Sequence, residues 1–421
     1  MPLLESWVAS ANEPTTDFPL NNLPYGVFST ADAEPRCGVA IGDMILDVAA
    51  AEEAGVLTPA EEPVFDVPFW NDFMELGADT WAEFRAELTG ALAANSPKKP
   101  ALEPFLVPQS EATLHMPFAV SEYTDFYAGM QHAMNMGAIL RGSPDLPANW
   151  LHIPIGYNGR ASSVVVSGTD IHRPLGQTRA PDADMPGFGP SKRLDIELEM
   201  GAIVGTGSTL GQPISTAQAD EMIFGYVLLN DWSARDIQGW EYQPLGPFQG
   251  KAFGTSISPW IVTAAALEDF RTPVPPREKP LLPYLHEEKP GLYDINLEVL
   301  MQPAGAERAT VISRTNYNRM YYSAAQQLCH HAIGGCEMSP GDLLGSGTIS
   351  GPTRDEFGSL MELSWAGREP FTLDTGEQRS FIEDGDTLTL RGHAQGNGFR
   401  IGFGDCTGTI LPAIDTPDWA K

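Results

Sequence analysis

The sequence has little positive charge, little cysteine and no apolar run of the ~20 residues that a helix needs to cross a bilayer. Lysine and arginine total 25 against 55 acids, which gives a net charge of -30. A surface this negative repels phosphate backbones and anionic lipids. We therefore expect neither nucleic acid nor membrane partners.

Cysteine is also scarce. Four cysteines, Cys37, Cys329, Cys336 and Cys406, are too few for a disulfide framework in 421 residues. They predict a reducing, cytoplasmic setting. Cys329 and Cys336 flank two histidines, but a helix would separate the sulfurs by roughly 10 Å. Zinc is therefore a weak interpretation of this run.

The remaining composition is that of a folded globular protein, with 42% apolar and 19% charged residues and a mean hydropathy of -0.16. A chain of 421 residues exceeds what one hydrophobic core usually serves, so we expect two domains, 1–118 and 119–421. Short β-branched runs dominate and helical patterns are brief. The predicted fold is therefore mainly β with short helices, of the α+β class.

Local patterns predict several elements. Paired strands are expected over 25–28 and 36–48 around a Gly42-Asp43 turn. A helix capped by Asp79 or Thr80 is expected to bury apolar side chains at helical spacing. Residues 96–108, rich in proline, predict a linker or an extended connection. Further short helices are expected near 123–140, 216–222 and 321–333.

An acidic strand is the sharpest chemical signal. Alternation places Asp195, Glu197 and Glu199 on one face. On this strand alone, a solvated acidic face is the better interpretation. Asp231 directly follows an apolar strand, however, and Asp125 stands where a helix is expected to begin. Carboxylates of this kind suit a hard divalent ion, with Ca²⁺ favoured over Mg²⁺.

Polar residues elsewhere could act beside these acids. His132 follows Asp125 by two helical turns, so one helix would place them on one face roughly 10 Å apart. A lone histidine is more often a satisfied core residue than a base. Arg235, Gln238 and Lys251 lie in an aromatic, turn-rich segment that also holds Tyr242. They could bind an oxyanion or a substrate carboxylate, or form an ordinary surface loop.

Several longer runs carry a resemblance. They include Y-T-D-F-Y at 123–127, D-I-E-L-E-M at 195–200 and N-D-W-S-A-R-D at 230–236. In these runs the chain resembles the fumarylacetoacetate hydrolase family. The other matching runs are 131–133, 155–163, 237–238, 240–242, 244–248, 250–255, 347–352, 362–365 and 402–406.

This resemblance implies a small amino-terminal SH3-like barrel domain, a larger β-rich catalytic domain and a homodimer. It implies metal-dependent hydrolysis of a carbon–carbon bond in 4-fumarylacetoacetate, a small diketo acid. The products would be fumarate and acetoacetate, at the last step of tyrosine and phenylalanine catabolism.

The resemblance also assigns roles to residues. It implies that His132 is the general base, oriented by Glu362. Calcium would be held by Asp125, Glu197, Glu199 and Asp231. A magnesium site would involve Asp231, Lys251 and Thr255, with the lysine acting through its backbone carbonyl or a water. Oxyanion stabilisation would fall on Arg235, Gln238 and Lys251. Substrate contacts would fall on Tyr127, Arg141, Tyr157, Gln238, Tyr242 and Thr348.

Two other functions remain open from sequence. One is a different reaction on the same metal platform, such as acylpyruvate hydrolysis, decarboxylation or hydration. The other is an acidic calcium-binding structural protein, which would leave His132, Arg235 and Lys251 without a purpose.

Overall fold

The computed structural model describes residues 2–180 and 182–420. Its elements are strand-dominated with short helices, so the predicted mainly β, α+β class is confirmed. No helix among the described residues has the length and apolarity needed to cross a bilayer.

A five-stranded antiparallel sheet, in the order β4-β3-β2-β1-β5, lies where the barrel-like domain was expected. The elements of this region are β1 Tyr25–Thr30, β2 Ala33–Ile41, β3 Met44–Asp47, α1 Val48–Glu53, α2 Asn71–Glu75, α3 Ala78–Leu92, α4 Lys99–Leu102, β4 Leu106–Pro108 and β5 Thr113–His115.

The rest of the chain builds two larger sheets. The eight-stranded sheet runs β7-β6-β22-β13-β14-β16-β8 with β17 beside β14, and the six-stranded sheet runs β21-β20-β25-β27-β9 with β26 beside β25. The strands are β6 Tyr123–Phe126, β7 Gly156–Asn158, β8 Val164–Val166, β9 Ile171–His172, β10 Leu175–Thr178, β11 Gly187–Pro190, β12 Leu194–Asp195, β13 Leu198–Val204, β14 Ile223–Asp231, β15 Ser233–Ala234, β16 Thr255–Ile257, β17 Val262–Thr263, β18 Arg271–Thr272, β19 Leu292–Tyr293, β20 Asn296–Gln302, β21 Thr310–Asn316, β22 Leu343–Gly345, β23 Phe371–Thr372, β24 Gln378–Arg379, β25 Thr387–Gln395, β26 Arg400–Gly402 and β27 Cys406–Leu411.

The helices of this larger part are short. They are α5 Met130–Arg141, α6 Thr216–Met222, α7 Arg235–Glu241, α8 Gln249–Ala252, α9 Ala264–Leu267, α10 Ala324–Ala332 and α11 Leu360–Leu363. The predictions of helices near 216–222 and 321–333 are confirmed. Both α6 and α10 begin with a capping box, in which a serine and the glutamine three residues later satisfy each other's backbone amides.

The amino-terminal sheet shares its core with the eight-stranded sheet. The Tyr25 ring stacks on Trp70 with centroids 4.3 Å apart and also packs against Phe224 of β14. A backbone bridge joins Tyr25 to Ile261 just before β17. The boundary between 118 and 119 stays a prediction.

Three local expectations were wrong. Helix α3 begins at Ala78, after Gly77 with φ +89°, and neither Asp79 nor Thr80 caps it. Residues 96–108 form α4 and β4 rather than an open linker, because Leu102 is buried and β4 pairs with β3. Residues 123–126 form a strand, and helix α5 starts only at Met130.

The turn before β22 supports a test of buried charge. Asp342 is buried and accepts a hydrogen bond from the backbone amide of Ser339 at 2.8 Å. Burial raises the pKa of Asp342 to about 6, above the usual carboxylate range, although the Ser339 amide opposes this shift. The folded state therefore holds this proton more tightly than the unfolded state does.

We expect wild-type protein to lose stability from this group as pH rises from about 4 to about 6, because the folded pKa is the higher one. Asp342→Asn keeps an acceptor for Ser339 and removes the charge. The free energy of unfolding of the variant, minus that of wild type, should therefore be about 1 kcal/mol larger at pH 7.5 than at pH 5. This value includes a discount for solvent screening. Urea titrations at both pH values measure this difference, and a difference that does not change with pH would contradict it.

Candidate active site

Four acids converge at one end of the eight-stranded sheet. Asp125 lies on β6, Glu199 on β13, Asp231 at the end of β14, and Glu197 just before β13. One carboxylate oxygen from each acid lies within 4.8 Å of the others, and all four side chains are buried. We call these four residues the acid cluster. The solvated acidic face that the strand alone favoured is therefore wrong.

Sheet register explains why these distant residues meet. Strand β22 pairs with both β6 and β13, with Gly345 opposite Asp125 and Gly201. Strand β14 pairs with the other edge of β13. Side chains two residues apart on a strand share a face, so Glu199 and Gly201 lie on one side together. The sequence could not show this, because it contains no pairing register.

Gly345 keeps the centre of the acid cluster open. A Cβ at this position would lie 2.7 Å from Asp125 Oδ1, 2.9 Å from Glu199 Oε2 and 3.1 Å from the Tyr123 hydroxyl. Asp125 Oδ1, Glu199 Oε1 and the Tyr123 hydroxyl are buried and have no hydrogen-bond partner among the described residues. Orphaned, buried oxygens around a space without a side chain fit a hard divalent cation.

Burial makes this cluster electrostatically unfavourable without a counter-charge. Burial raises the pKa of Asp125, Glu199 and Asp231, and the neighbouring acids raise those of Asp125 and Glu199 further. Glu197 differs, because Lys251, Arg235 and His132 outweigh burial and lower its pKa. Three of the four carboxylates therefore resist ionisation.

Two buried cations offset part of this charge. The Lys251 ammonium pairs with Glu197 Oε2 and Asp231 Oδ2. Arg235 pairs through Nε with Asp195 at 2.8 Å and through Nη2 with Glu197 Oε1 at 2.8 Å. Burial alone would lower the pKa of both groups, but these acids outweigh burial and raise it. Lys251 and Arg235 are not part of the surface loop that was one interpretation of this segment.

His132 borders the acid cluster and is held by Glu362. Nδ1 of the imidazole lies 2.7 Å from Glu362 Oε2, and Nε2 lies 3.7 Å from Glu197 Oε1. Burial would raise the pKa of Glu362, but His132, Asn135 and Ser359 outweigh burial and lower it. An ionised carboxylate only accepts hydrogen bonds, so His132 donates from Nδ1, and its Nε2 faces the acid cluster.

Glu362 is itself fixed by residues that sequence reasoning missed. Asn135 Nδ2 donates to Oε1 at 2.7 Å, and Ser350 and Ser359 donate to Oε2 at 3.0 and 2.8 Å. Asn135 follows His132 by three helical positions, a spacing that indicates a shared face. The pattern Ser359-x-x-Glu362 resembles a capping box. The helical spacing and the capping pattern were the two signals in the sequence that could have indicated Asn135 and Ser359.

The structure corrects the predicted relation of Asp125 and His132. Asp125 does not begin a helix, and the two residues do not share a helix face. Residues Tyr123 to Phe126 instead form strand β6, which pairs with β22 and β7. Helix α5 then presents His132 from a separate element.

Three of the other predicted residues, Tyr127, Tyr157 and Gln238, contact residues of the site. Tyr157 donates its hydroxyl proton to Asp125 Oδ2 at 2.8 Å, and Gln238 Oε1 accepts from Arg235 Nη1 at 3.2 Å. The Tyr127 ring packs edge-on against His132, with centroids 5.6 Å apart. These three residues lie at the site.

The positions of the remaining predicted residues vary. Thr255 is buried and pairs with Asp231 across β14 and β16, and Thr348 is buried beside Gly129 at the start of α5. Arg141 is exposed and bonds the Asp145 carbonyl at 2.8 Å, while Tyr242 is 43% exposed. Among the residues that the structure describes, the hydrogen bonds of Arg141 and Tyr242 are to Asp145 and Gln243 rather than to the acid cluster.

Comparison with known proteins shows the family to which the chain belongs. Residues 122–411 match the model of the fumarylacetoacetate hydrolase C-terminal region, and residues 21–117 match that of the fumarylacetoacetase N-terminal region. The chain therefore belongs to the fumarylacetoacetate hydrolase family.

Individual relatives extend along nearly the whole chain. The fumarylacetoacetase of Rattus norvegicus is 49% identical over 95% of this chain and 97% of its own length. That of Arabidopsis thaliana is 46% identical over 98% of this chain and 100% of its own length. The solved fumarylacetoacetate hydrolase of Exiguobacterium antarcticum shares the fold, with a TM-score of 0.53, 16% identity, and coverage of 93% of this chain and 99% of that chain.

The open centre of the acid cluster gives a direct test of cation binding. Gly345→Ala places a methyl group against Asp125 and Glu199, so Ca²⁺ affinity should fall roughly 10–100-fold. This is the usual effect of mutating a residue that supports metal ligands. Isothermal titration with Ca²⁺ measures the change.

Gly201→Ala is the matched control for this variant. Gly201 lies opposite Gly345 on β13, but the three atoms nearest to a Cβ there are methyl carbons of Leu343, Val227 and Leu229. This variant should lose some stability and keep its Ca²⁺ affinity. Equal affinities for Gly345→Ala and wild type would show that the acid cluster is not the ion site.

Proposed function

We propose that this chain hydrolyses the carbon–carbon bond of fumarylacetoacetate to fumarate and acetoacetate, with a divalent cation in the acid cluster and His132 as general base. The observation that carries the mechanism is the Glu362–His132 pair, which directs Nε2 of the imidazole to within 3.7 Å of Glu197. Identities of 45–49% with fumarylacetoacetases, over nearly the whole of each protein, support the substrate.

The cation would be held by Asp125, Glu197, Glu199 and Asp231, and it would stabilise negative charge on the oxygens of the diketone. We propose Ca²⁺, because four carboxylates with few other donors suit its loose, high coordination. Mg²⁺ is the second candidate, near Asp231 and Thr255 with the Lys251 carbonyl. The Lys251 ammonium would act as a fixed positive charge, since it has no lone pair for a cation.

The proton steps fall to His132. Nε2 takes a proton from water, and the resulting hydroxide attacks the carbonyl carbon next to the bond that breaks. Glu362 holds the Nδ1 proton and stabilises the imidazolium that forms. When the carbon–carbon bond breaks, its electron pair leaves with the acetoacetate fragment as an enolate. The imidazolium then returns the proton to that fragment.

The oxyanion of the tetrahedral intermediate needs donors that are already fixed. Arg235 and Lys251 are held in place by buried carboxylates, so they need little reorganisation when charge develops. Gln238 uses its amide oxygen to accept from Arg235, which leaves its NH₂ group free to donate to the oxyanion.

Substrate contacts are proposed for six residues. Tyr127 and Tyr157 lie at the cluster and would contact the reacting part of the diketo acid. Arg141 and Tyr242 are exposed, and an arginine suits a terminal carboxylate of the substrate. Gln238 and Thr348 complete the set.

The setting of the enzyme is also part of the proposal. Cys37, Cys329, Cys336 and Cys406 are free thiols, which suits a reducing cytoplasm. The family resemblance supports a homodimer. The net charge of -30 argues against nucleic acid and membrane partners.

His132 provides the test of this function. His132→Ala should keep the fold and Ca²⁺ binding but lose roughly 10²–10⁴-fold in turnover, the usual contribution of a general base. The measurement is the loss of diketone absorbance from fumarylacetoacetate, with Ca²⁺ affinity determined on the same preparation.

His393→Ala is the control, since His393 is half-buried on β25 in the other large sheet. It should turn over at the wild-type rate. A His132→Ala variant with near wild-type turnover would remove His132 from the chemical step. Wild-type protein that leaves fumarylacetoacetate intact with either ion present would reject the function itself.

A further inference from the structure

We propose that Asp195 is a positioning residue that fixes Arg235 and the turn carrying Glu362 in one arrangement. This inference rests on the proposed function, because it assigns Asp195 to the machinery of that reaction. Asp195 belongs to the same run as Glu197 and Glu199, but it is not a member of the acid cluster.

A break in the strand separates Asp195 from the cation ligands. Asp195 ends β12, which pairs with β15, whereas β13 starts three residues later at Leu198. The simple alternation expected from sequence would have placed Asp195 beside Glu197 and Glu199. The break instead directs its carboxylate away from the acid cluster.

The Asp195 carboxylate accepts four hydrogen bonds while fully buried. Oδ1 accepts from the backbone amides of Ile196 at 2.8 Å and Leu360 at 2.7 Å. Oδ2 accepts from the Met361 amide at 2.9 Å and from Arg235 Nε at 2.8 Å. Both oxygens therefore bond α11, and Oδ2 joins α11 to Arg235.

The first connection sets the orientation of the Arg235 guanidinium. With Nε on Asp195, Nη2 lies 2.8 Å from Glu197 and Nη1 donates to Gln238. A planar guanidinium held at Nε cannot rotate without losing these contacts. Asp195 therefore determines where the remaining Arg235 donors point.

The second connection sets the position of Glu362. Leu360 and Met361 are the first two residues of α11, and their amides have no partner within the helix. Asp195 bonds both amides, and Ser359 Oγ bonds the third, that of Glu362, at 3.3 Å. Glu362 then reaches His132 Nδ1 at 2.7 Å. A shift of this turn would move the carboxylate that orients the general base.

Asp195→Asn separates this role from simple packing, because it keeps the shape and removes acceptors. An asparagine has one acceptor oxygen and an NH₂ group. Whichever way it turns, the NH₂ group faces a donor, either an α11 amide or Arg235. We expect kcat to fall roughly 100-fold, the effect of a displacement near 1 Å in a catalytic group. KM and Ca²⁺ affinity should change only a few-fold.

A double-mutant cycle tests the route through Arg235. If Asp195 acts by holding Arg235, then Asp195→Asn combined with Arg235→Lys should lose little more kcat than the worse single variant. Effects that multiply instead would overturn this connection. An unchanged kcat for Asp195→Asn alone would overturn the proposal as a whole.

Asp386→Asn is the matched control for loss of a buried ion pair. Asp386 is fully buried and bonds Arg379 Nε at 2.8 Å, Arg379 Nη2 at 2.9 Å and the Glu383 amide at 2.9 Å. It directly precedes β25, a strand of the six-stranded sheet, whereas the acid cluster lies on the eight-stranded sheet. This variant should lose stability and keep kcat. An equal loss of kcat in both variants would assign Asp195 a structural role only.

A spectroscopic readout keeps this proposal separate from the function on which it rests. The hydrogen-bonded His132 Nδ1 proton should give a downfield NMR resonance that His132→Ala removes. Asp195→Asn should shift or remove it, and Asp386→Asn should leave it in place. This readout decides the role of Asp195 even if wild-type protein fails to hydrolyse fumarylacetoacetate. An unmoved resonance in Asp195→Asn would reject the connection to Glu362.

Discussion

An excess of buried negative charge is the constraint on which the rest of this structure depends. Two buried cations, Arg235 and Lys251, pair with three of the five acids buried here. The five acids are Asp125, Asp195, Glu197, Glu199 and Asp231. Unpaired charge in a protein interior costs several kcal/mol per ion. A divalent cation in the acid cluster would offset most of this excess, which would couple its binding to folding. The buried acids lower stability on their own, and under the proposed function they would serve to hold this cation.

The same constraint explains the division of labour among the charged groups. Lys251 and Arg235 lower the pKa of Glu197, whereas burial dominates at Asp125 and Glu199. His132 lies beside the acid cluster, and Glu362 fixes its orientation through Nδ1. Under the proposed function, the site would combine a centre that binds a cation, fixed donors for an oxyanion, and a base held in one orientation. These are the parts that hydrolysis of a carbon–carbon bond in a diketone requires.

Sequence predicted the types of residue better than their arrangement. Alternation in the acidic run correctly placed Glu197 and Glu199 together, because two-residue periodicity is a local property. It failed for Asp195, because the interruption between β12 and β13 depends on different strand partners. The prediction that Asp125 begins a helix was also wrong, because its strand pairs with β22, more than two hundred residues away in sequence. Register between distant strands leaves no trace in a single sequence.

The fold shows the same limit. Short strands and capped helices such as α6 and α10 were predictable from turn residues and capping patterns. The strand of residues 123–126 was read as helix because its few residues precede a real helix. Gly345 gave no signal at all, since its importance lies in the space that three neighbouring side chains leave around it. The supports of Glu362 left only weak local patterns.

Anomalous X-ray diffraction from crystals grown with Ca²⁺ locates the ion itself. We expect one strong anomalous peak between Asp125, Glu197, Glu199 and Asp231, with carboxylate oxygens at roughly 2.3–2.6 Å. The same peak should be absent from crystals treated with a chelator. A peak at another place, or no peak among four well-ordered carboxylates at saturating Ca²⁺, would contradict the account.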